Sequence, residues 1–330
     1  MLKIKKGIVR RLKWGVAGCG NFAENSFIPA LHLLPKSKLV SLYSSDISRA
    51  RYLKEKFAAS GAYDDFDEFL DSDIDCVYIA SANINHYDQV LRAARHGKHI
   101  HCEKPLAISS AQAEEMVRIC EENGVFLSVN YVYRFHPLVA KAKEIIDKGM
   151  LGKLVSINAN FNVDYAPNDN FRFRKSMSGG GALWDIGTHM IDLLRYFGGE
   201  IVSIHGAVDN IIYKSEVDDF AAAIVKFENS GYGYFNASFN VKKGVNRLEI
   251  LGYNGNIVIE NLIGKRSAST KLIIDLQGEA RKAFRKRANK MLCTLREIQK
   301  SFLNNTPPPV SGQDGLSNLR LIEQLEEKCL

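Results

Sequence analysis

The chain has 330 residues and lacks any apolar segment that could cross a bilayer. A transmembrane helix needs about 20 consecutive apolar residues, and no run approaches that length. The N-terminal segment MLKIKKGIVRRLK is basic but has no apolar core followed by a small-residue cleavage site, so it is a poor secretory signal. We therefore expect a cytoplasmic protein that does not contact membranes. The chain length favours two domains over one.

The cysteines form no CxxC pair and no regular framework. A zinc site or a disulfide scaffold would need such spacing. Most of the six lie in apolar contexts, which predicts reduced thiols in a cytoplasmic protein and no metal site. They are Cys19, Cys76, Cys102, Cys120, Cys293 and Cys329.

Acidic residues are missing from two segments, 1–13 and 281–290, each of which carries six cations. These segments account for the net charge of +7, because the rest of the chain is mildly acidic. Basic patches of this kind occur in proteins that bind an anionic partner. No aromatic stacking pattern is interleaved with the cations, as single-strand binding would require. A solvated terminus and one exposed helix face are the favoured interpretation, and we expect no nucleic-acid partner.

Short β-rich segments alternate with helical segments from residue 12 to about residue 130. The helical segments end in Gly, which is a usual helix stop. This βαβ order predicts a doubly wound parallel sheet. The predicted strands are 12–17, 38–44, 75–80, 99–102 and 126–130.

The pattern changes after residue 130. Segments 154–163 and 231–240 alternate apolar and polar residues, which predicts long strands with one buried face in an open, mostly antiparallel sheet. A helix is predicted over 181–197, and a second one near the end from an apolar stripe at helical spacing. The fold class is therefore α/β. The stripe consists of Phe284, Ala288, Met291, Leu295, Ile298 and Phe302.

The segment GCGNFA follows the first predicted strand directly. Gly18, Gly20 and Ala23 give the pattern G-x-G-x-x-A, with Asn21 and Phe22 inside the turn. The first Gly permits a tight turn, the second lets the backbone approach a pyrophosphate, and the small Ala lets helix and strand pack closely. An ordinary glycine-rich turn is the alternative. The position in the first βαβ unit favours dinucleotide binding.

The end of the second predicted strand bears on the choice between NAD and NADP. An NAD site has a carboxylate there for the ribose 2′-hydroxyl. This chain has Ser44 and Ser45, and Asp46 comes two positions late. Hydroxyls can donate to a 2′-phosphate, and Arg49 opens the next helix within reach of it. The segment favours NADP(H), and NAD(H) remains the alternative if Asp46 turns back to the ribose.

Polar residues also follow the strand at 75–80, at the sheet edge where the nicotinamide half would lie. Ala80 begins the turn, and Asn83 and His86 could bond the ribose or the carboxamide. Helix capping is the alternative for both side chains.

The strand at 99–102 runs into Glu103, Lys104 and Pro105. Pro105 disfavours the α region for Lys104, so the lysine leaves the strand end extended and points into the same crevice. A salt bridge at a turn and a catalytic ammonium both fit these residues. The isomer of the Lys104–Pro105 peptide is open at this point.

Three polar residues share one face of the helix predicted over 181–197. Asp185, His189 and Asp192 lie at i, i+4 and i+7 among mostly apolar neighbours, so they face the protein. A proton relay with His189 as acid or base explains them. A buried histidine flanked by two surface acids explains them equally well, and a metal site less well.

In this order and context, the glycine loop, the Asn83-x-x-His86 turn, Glu103-Lys104-Pro105 and GGGALWDIGTHMIDLLRYF resemble the Gfo/Idh/MocA oxidoreductases. The resemblance extends from residue 12 to PPPVSGQDGL near the end. It implies an NAD(P)-binding Rossmann domain over 1–130. It also implies a substrate-binding and oligomerisation domain over 131–330, whose open sheet buries its outer face in a homodimer or homotetramer.

The resemblance also implies roles for individual residues. Lys104, Asp185 and His189 correspond to the family's usual catalytic groups, and Glu103 would steer the lysine. The pattern Ser44-Ser45…Arg49 is similar to that of NADP-using members. Residues near the substrate would be Tyr133, Arg134 and Arg172.

We therefore expect an NAD(P)-dependent dehydrogenase or reductase that exchanges a hydride with a hydroxyl or keto carbon of a sugar. Lys104 would polarise the reacting oxygen, and His189 would give or take its proton. Asp185 would hold a neighbouring hydroxyl, and Asp192 would orient the helix or His189. The alternatives are an NAD-dependent glycosidase of the same fold and a non-catalytic dinucleotide-binding regulator. Intact catalytic residues count against the regulator.

Overall fold

The computed structural model describes residues 10–264 and 269–329. Lys3, Lys5 and Lys6 of the basic N-terminal segment lie outside the described residues. The first sheet has six strands in the order β3-β2-β1-β4-β5-β6, and each neighbouring pair is parallel. The predicted doubly wound sheet is confirmed. Its strands are β1 Leu12–Ala17, β2 Ser37–Tyr43, β3 Gly61–Tyr63, β4 Cys76–Ile79, β5 His99–Cys102 and β6 Leu127–Val129.

Helices connect these strands, and polar side chains cap several of them. The helix after the glycine loop contains a π turn, Ala23–Phe27, that continues into α1. Asp46 caps the second helix and Ser109 the fifth by accepting bonds from backbone N–H groups. Such caps start each helix directly after a strand end, which is where ligands bind in this class of fold. The helices are α1 Ile28–Leu31, α2 Ile47–Phe57, α3 Phe66–Asp71, α4 Asn83–Arg95 and α5 Ser110–Glu122.

The second sheet has eight strands in the order β14-β13-β12-β11-β7-β10-β9-β8. Its pairs are antiparallel except β10 with β7, so the predicted open, mostly antiparallel sheet is confirmed. Helices α6 Pro137–Asp147 and α8 Thr188–Gly198 pack against it, and the short helix α7 Lys175–Ser178 precedes α8 in the chain. Its strands are β7 Leu154–Asn162, β8 Ile201–Asp209, β9 Phe220–Phe227, β10 Tyr232–Ser238, β11 Asn246–Gly252, β12 Gly255–Glu260, β13 Thr270–Leu276 and β14 Lys282–Lys286.

The helix predicted over 181–197 forms, but its first part, Leu183–Gly187, is a π turn.

The predicted start of the last apolar stripe is wrong. Phe284 lies in β14, which pairs with β13 at the sheet edge, and the next helix, α9 Lys290–Asn304, begins only after Asn289 caps it. The basic patch at 281–290 is therefore mostly an edge strand rather than a helix face. Charged side chains on an edge strand disfavour pairing with another chain.

The two C-terminal helices, α9 and α10 Gly312–Lys328, pack back on the first sheet. Four apolar residues of α9 join Trp14 and Phe27 in one buried cluster, and the rings of Trp14 and Phe302 stack with centroids 6.0 Å apart. Helix α10 lies against both α5 and β8. The domain boundary predicted at residue 130 stays a prediction, and the core of the N-terminal sheet includes residues beyond 290. The four are Met291, Leu295, Ile298 and Phe302.

Three further findings concern the described residues. None of their helices is long and apolar enough to span a membrane. All six cysteines are free thiols, and four of them are buried. No group of three or more His, Cys, Asp or Glu side chains in these ranges could hold a metal ion.

Candidate active site

A cleft of about 810 Å³ lies at the carboxyl edge of the first sheet. Strand order reverses between β1 and β4, and ligands bind at such switch points in open α/β sheets. Residues 183–189, which belong to the second half of the chain, form part of the opposite wall of the cleft. The predicted site residues that line it are Gly20, Asn21, Phe22, Ala80, Asn83, Glu103, Lys104, Tyr133, Arg172, Asp185 and His189.

Lys104 and Asp185 form the central ion pair of this cleft. The Lys104 Nζ donates to the Asp185 carboxylate at 2.5 Å and to its backbone carbonyl at 2.8 Å. The Arg172 Nε is 3.6 Å from the same carboxylate oxygen. Burial alone would raise the pKa of Asp185, but Lys104 and Arg172 outweigh it and hold that pKa well below its ordinary value. Asp185 is therefore an anion that holds the lysine in place.

The Lys104–Pro105 peptide is cis, which answers the question that the sequence left open.

His189 is buried beside this ion pair. Its ring meets the ring of Tyr133 edge to face at 4.6 Å between centroids, and its Nδ1 has no hydrogen-bond partner among the described residues. Burial, reinforced by the charge of Lys104, lowers the pKa of His189 well below its ordinary value, although Asp185 opposes the shift. The imidazole is neutral at physiological pH. A neutral imidazole can accept a proton from a bound hydroxyl.

Glu103 lines the cleft, and its side chain is not bonded to the Lys104 ammonium, although the backbone N–H of Lys104 helps to stabilise the Glu103 carboxylate. Its carboxylate accepts bonds from the Tyr78 hydroxyl and the Asn130 amide. Burial raises the pKa of Glu103, while those two donors and the charge of Lys104 oppose the rise. The ion pair that steers Lys104 is the one with Asp185.

Asp192 does not line the cleft, unlike Asp185 and His189 on the same helical segment. Its carboxylate accepts hydrogen bonds from Arg134 Nε at 2.9 Å, from Arg134 Nη2 at 2.6 Å and from the Asn318 amide at 3.2 Å. Asp314 also contacts Arg134, at 3.2 Å. Asp192 and Arg134 therefore form a buried network behind His189 and do not line the cleft, where the sequence placed Arg134 beside the substrate. The network holds Tyr133, the neighbour of Arg134, against His189.

His86 is fully buried and does not line the cleft. Its Nδ1 lies 3.0 Å from the Pro105 carbonyl oxygen and its Nε2 lies 3.2 Å from the Ser81 carbonyl oxygen. Burial lowers its pKa to about 4. The ring joins the turn after β4 to the turn after β5. Asn83 does line the cleft, and its amide donates to the Ser178 carbonyl at 2.9 Å.

The glycine loop fits a pyrophosphate. Gly18 has φ +97°, and a Cβ there would lie 2.5 Å from the backbone of Ala80, so only Gly can make this turn. A Cβ on Gly20 would meet nothing within 4 Å, which leaves its backbone open to a ligand. Ala23 is completely buried between helix and strand, as its small size predicts.

Arg49 lies beside this loop, as the NADP interpretation requires. Its Nε donates to the Cys19 carbonyl at 2.9 Å, and its guanidinium pairs with Glu24. Lys56 donates to Glu24 at 2.6 Å, and Lys56 and Arg49 together lower the pKa of Glu24 to about 2. Arg49 is thus partly neutralised by a carboxylate that sequence reasoning missed.

Ser44 and Ser45 directly follow β2, and Ser44 Oγ accepts a bond from the Asp46 backbone at 3.3 Å. Asp46 accepts bonds from the Ser48 backbone at 3.0 Å and from its hydroxyl at 2.6 Å. Both bonds go to Oδ1, so one oxygen of the Asp46 carboxylate caps α2.

Sequence reasoning also missed the walls of the cleft. The bond from Tyr78 to Glu103 was also missed, although the sequence gives a signal for it, because the Tyr78 hydroxyl is the one side-chain hydroxyl of strand β4. The residues of the cleft walls have no sequence pattern in common, since they come from segments that meet only in the folded chain. They include Asn130, Phe161, Tyr165, Asn170, Phe171 and Ile263.

Residues 12–131 match the NAD-binding Rossmann-fold oxidoreductase family, and residues 139–258 match the GFO/IDH/MocA C-terminal domain. The 1,5-anhydro-D-fructose reductase of Ensifer adhaerens is 26% identical over 314 residues, which cover 93% of each protein. The myo-inositol 2-dehydrogenase of Thermotoga maritima is 28% identical over 96% of this chain and 97% of its own. The crystal structure of an aldose-aldose oxidoreductase from Caulobacter crescentus superposes with a TM-score of 0.89 at 25% identity, over 97% of both chains. The chain therefore belongs to the Gfo/Idh/MocA family of NAD(P)-dependent oxidoreductases.

Proposed function

We propose that this protein exchanges a hydride between a nicotinamide cofactor and a hydroxyl or keto carbon of a sugar. One observation carries the proposal: Lys104, Asp185 and His189 converge in a single cleft at the sheet edge where a nicotinamide would lie. The sugar and cyclitol substrates in the names of its relatives support the substrate class.

The residues divide the chemistry among them. A bound nicotinamide supplies the hydride acceptor or donor. In the oxidative direction, the neutral imidazole of His189 takes the hydroxyl proton. The ammonium of Lys104 stabilises the negative charge that develops on the oxygen. Asp185 keeps the lysine in place and can accept a bond from a neighbouring hydroxyl. Reduction runs through the same groups in reverse.

The walls of the cleft suit a sugar. Phe161, Tyr165 and Phe171 present aromatic surface, which packs against the apolar faces of a ring. Asn170 and Arg172 lie beside them and can bond hydroxyl groups. A cleft that combines apolar walls with a few polar groups is typical of small-molecule sites.

We also propose that NADP(H) is favoured over NAD(H). The hydroxyls of Ser44 and Ser45 can donate to a 2′-phosphate, and Arg49 lies beside the glycine loop. One oxygen of Asp46, the carboxylate that an NAD site would use, already caps α2. Glu24 limits the preference because it neutralises part of the charge of Arg49 and Lys56.

Assembly and compartment are further parts of this proposal. The outer face of the second sheet exposes Ile224, Tyr232 and Tyr234 around a shallow depression of about 580 Å³. An exposed apolar face of this kind suits a second copy of the chain in a homodimer or homotetramer.

The free thiols fit the cytoplasm, where cysteines stay reduced.

A two-step experiment tests the function. Thermal shift with NAD⁺, NADH, NADP⁺ and NADPH identifies the cofactor, because a ligand that binds the native state raises Tm. A sugar library is then screened by nicotinamide absorbance. Net turnover with a sugar supports the proposal. Glycoside cleavage without net redox change would point to an NAD-dependent glycosidase, and binding without any turnover to a regulator.

A further inference from the structure

A buried chain of hydrogen bonds leads through the first sheet to Glu103. His101 Nδ1 lies 3.2 Å from Ser128 Oγ, and His101 Nε2 lies 3.1 Å from Asn130 Oδ1. The Asn130 amide and the Tyr78 hydroxyl then reach the same carboxylate oxygen of Glu103. Ser128, His101, Asn130 and Tyr78 are at most 1% exposed, so the chain is shielded from bulk solvent.

The polarity of this chain follows from its chemistry. An ionised Glu103 only accepts, so the NH₂ group of Asn130 faces it and the Asn130 oxygen faces His101. That oxygen needs the proton on His101 Nε2. Burial lowers the pKa of His101 to about 4, so its ring is neutral and its Nδ1 accepts from the Ser128 hydroxyl. Every donor therefore points towards the Glu103 carboxylate, an arrangement that stabilises its ionised form.

Glu103 has no cationic side chain as a hydrogen-bonded partner. Lys104 bonds both the carboxylate and the carbonyl of Asp185, and Arg172 approaches the same carboxylate. Within the described residues, no Lys or Arg side chain forms an ion pair with Glu103, whose side-chain hydrogen bonds come from the neutral Tyr78 and Asn130. Lys104 acts on Glu103 through its charge but bonds Asp185, so the partly buried Glu103 anion is incompletely compensated, which is costly. The cost is offset when a ligand supplies the positive charge.

We infer that Glu103 distinguishes the two redox states of the nicotinamide cofactor, an inference that rests on the proposed function. The oxidised ring carries a positive charge, and the reduced ring is neutral. Glu103 lies in the cleft one strand from the switch point, beside the catalytic Lys104. It therefore favours binding of the oxidised form.

This preference has a consequence for direction. In the reductive direction a hydride would pass with its two electrons from the reduced ring to a carbonyl carbon, His189 would give the substrate oxygen a proton that it regains from solvent, and the ring would carry the positive charge that Glu103 favours. By linkage, the preference makes substrate reduction more favourable on the protein than in solution, by the ratio of the two dissociation constants.

The test is calorimetric titration of NADP⁺ and NADPH into the intact protein and its variants at one pH. Glu103→Gln removes the charge and keeps the shape. We expect it to weaken NADP⁺ binding about tenfold and to change NADPH binding by less than about twofold. Glu103→Met serves as a second neutral variant if the Gln variant does not fold. Glu103→Asp keeps the charge and should keep the preference.

Glu24→Gln is the matched control, because Glu24 bonds Arg49 and Lys56 at the far end of the cofactor site. It should change the affinities for NADP⁺ and NADPH by the same factor and leave their ratio unchanged. An equal effect of Glu103→Gln on both forms would overturn the inference. Failure of the wild-type protein to bind any nicotinamide dinucleotide would overturn the proposed function itself.

Discussion

The two ends of the cofactor cleft are built differently. At the catalytic end, Lys104, Asp185 and His189 are largely shielded from water, and the pKa values of Asp185 and His189 are strongly shifted. At the ribose end, Ser44, Ser45 and Arg49 are partly or fully exposed, and Arg49 shares Glu24 with Lys56. Buried charges must compensate each other, whereas water compensates exposed ones. Substitutions at the catalytic end should therefore cause large losses of activity or stability, and substitutions at the ribose end should cause small changes in cofactor preference.

The largest effect should come from Lys104→Ala. Loss of a preorganised charge at the reacting oxygen typically costs about 10²–10³-fold in kcat, and we expect about 10³-fold here because Asp185 is left without its main partner. Steady-state kinetics and cofactor titration measure the two effects separately, and cofactor binding should persist. Lys98→Ala is the control just before the start of the same strand, where the Lys98 ammonium bonds the Ile74 carbonyl. Retention of turnover by Lys104→Ala would make the lysine structural.

Asp192→Ala tests the support behind the catalytic end. Removal of one partner of a buried ion pair typically costs about 3–5 kcal/mol, and we expect about 3 kcal/mol because Asp314 still contacts Arg134. Urea denaturation measures the change in the free energy of unfolding. Asp147→Ala, which breaks an exposed pair with Lys143, should cost no more than about 0.5 kcal/mol. Equal costs for the two variants would show that the buried network contributes no more than a surface pair.

His189→Asn should lower turnover about 10²-fold, within the usual range for a general acid or base. The pH profile of sugar oxidation gives a sharper test. His189 accepts a proton only when neutral, and its pKa lies below the ordinary value of 6.5. The rate should therefore hold steady as pH falls to about 6.5 and decline only in more acidic solution. An acidic limb centred above that pH in the wild type would contradict the assignment.

The smallest effect belongs to the ribose end. Ser44→Asp places a carboxylate where a 2′-phosphate would lie, and we expect the ratio of kcat/KM values to shift about tenfold towards NAD. Ser44→Ala separates loss of the hydroxyl from the added repulsion and should shift the ratio less. A wild-type protein that already uses NAD better than NADP would refute the proposed preference.

Local patterns predicted most of the fold. The βαβ order and the strict alternation at 154–163 correspond to strands that the structure contains. Strand β3 was missed because three residues are too few to show a period, and β8, β9 and β11 to β14 were not predicted individually. Phe284 fits a helical stripe and an edge strand equally well, and only its pairing with β13 decides between them.

The three residues proposed to be catalytic line one cleft, and each could be proposed from the sequence because it lies in a compact motif. Asp192 was grouped with them because helical spacing places it on one face, while its partner Arg134 lies 58 residues upstream. His86 was read as a cofactor contact because its spacing could not show that two carbonyl groups would enclose it. Contacts between distant segments are the part of the site that periodicity does not encode.

The return of α9 to the first sheet has a consequence for synthesis. Trp14 and Phe27 leave the ribosome early, but the helix that covers their side of the core is translated only after residue 290. During that interval the nascent N-terminal half carries an uncovered apolar flank, the kind of surface that chaperones bind. Release of a chain truncated before α9 would make that exposure permanent. The N-terminal half therefore reaches its native state only when translation is nearly complete.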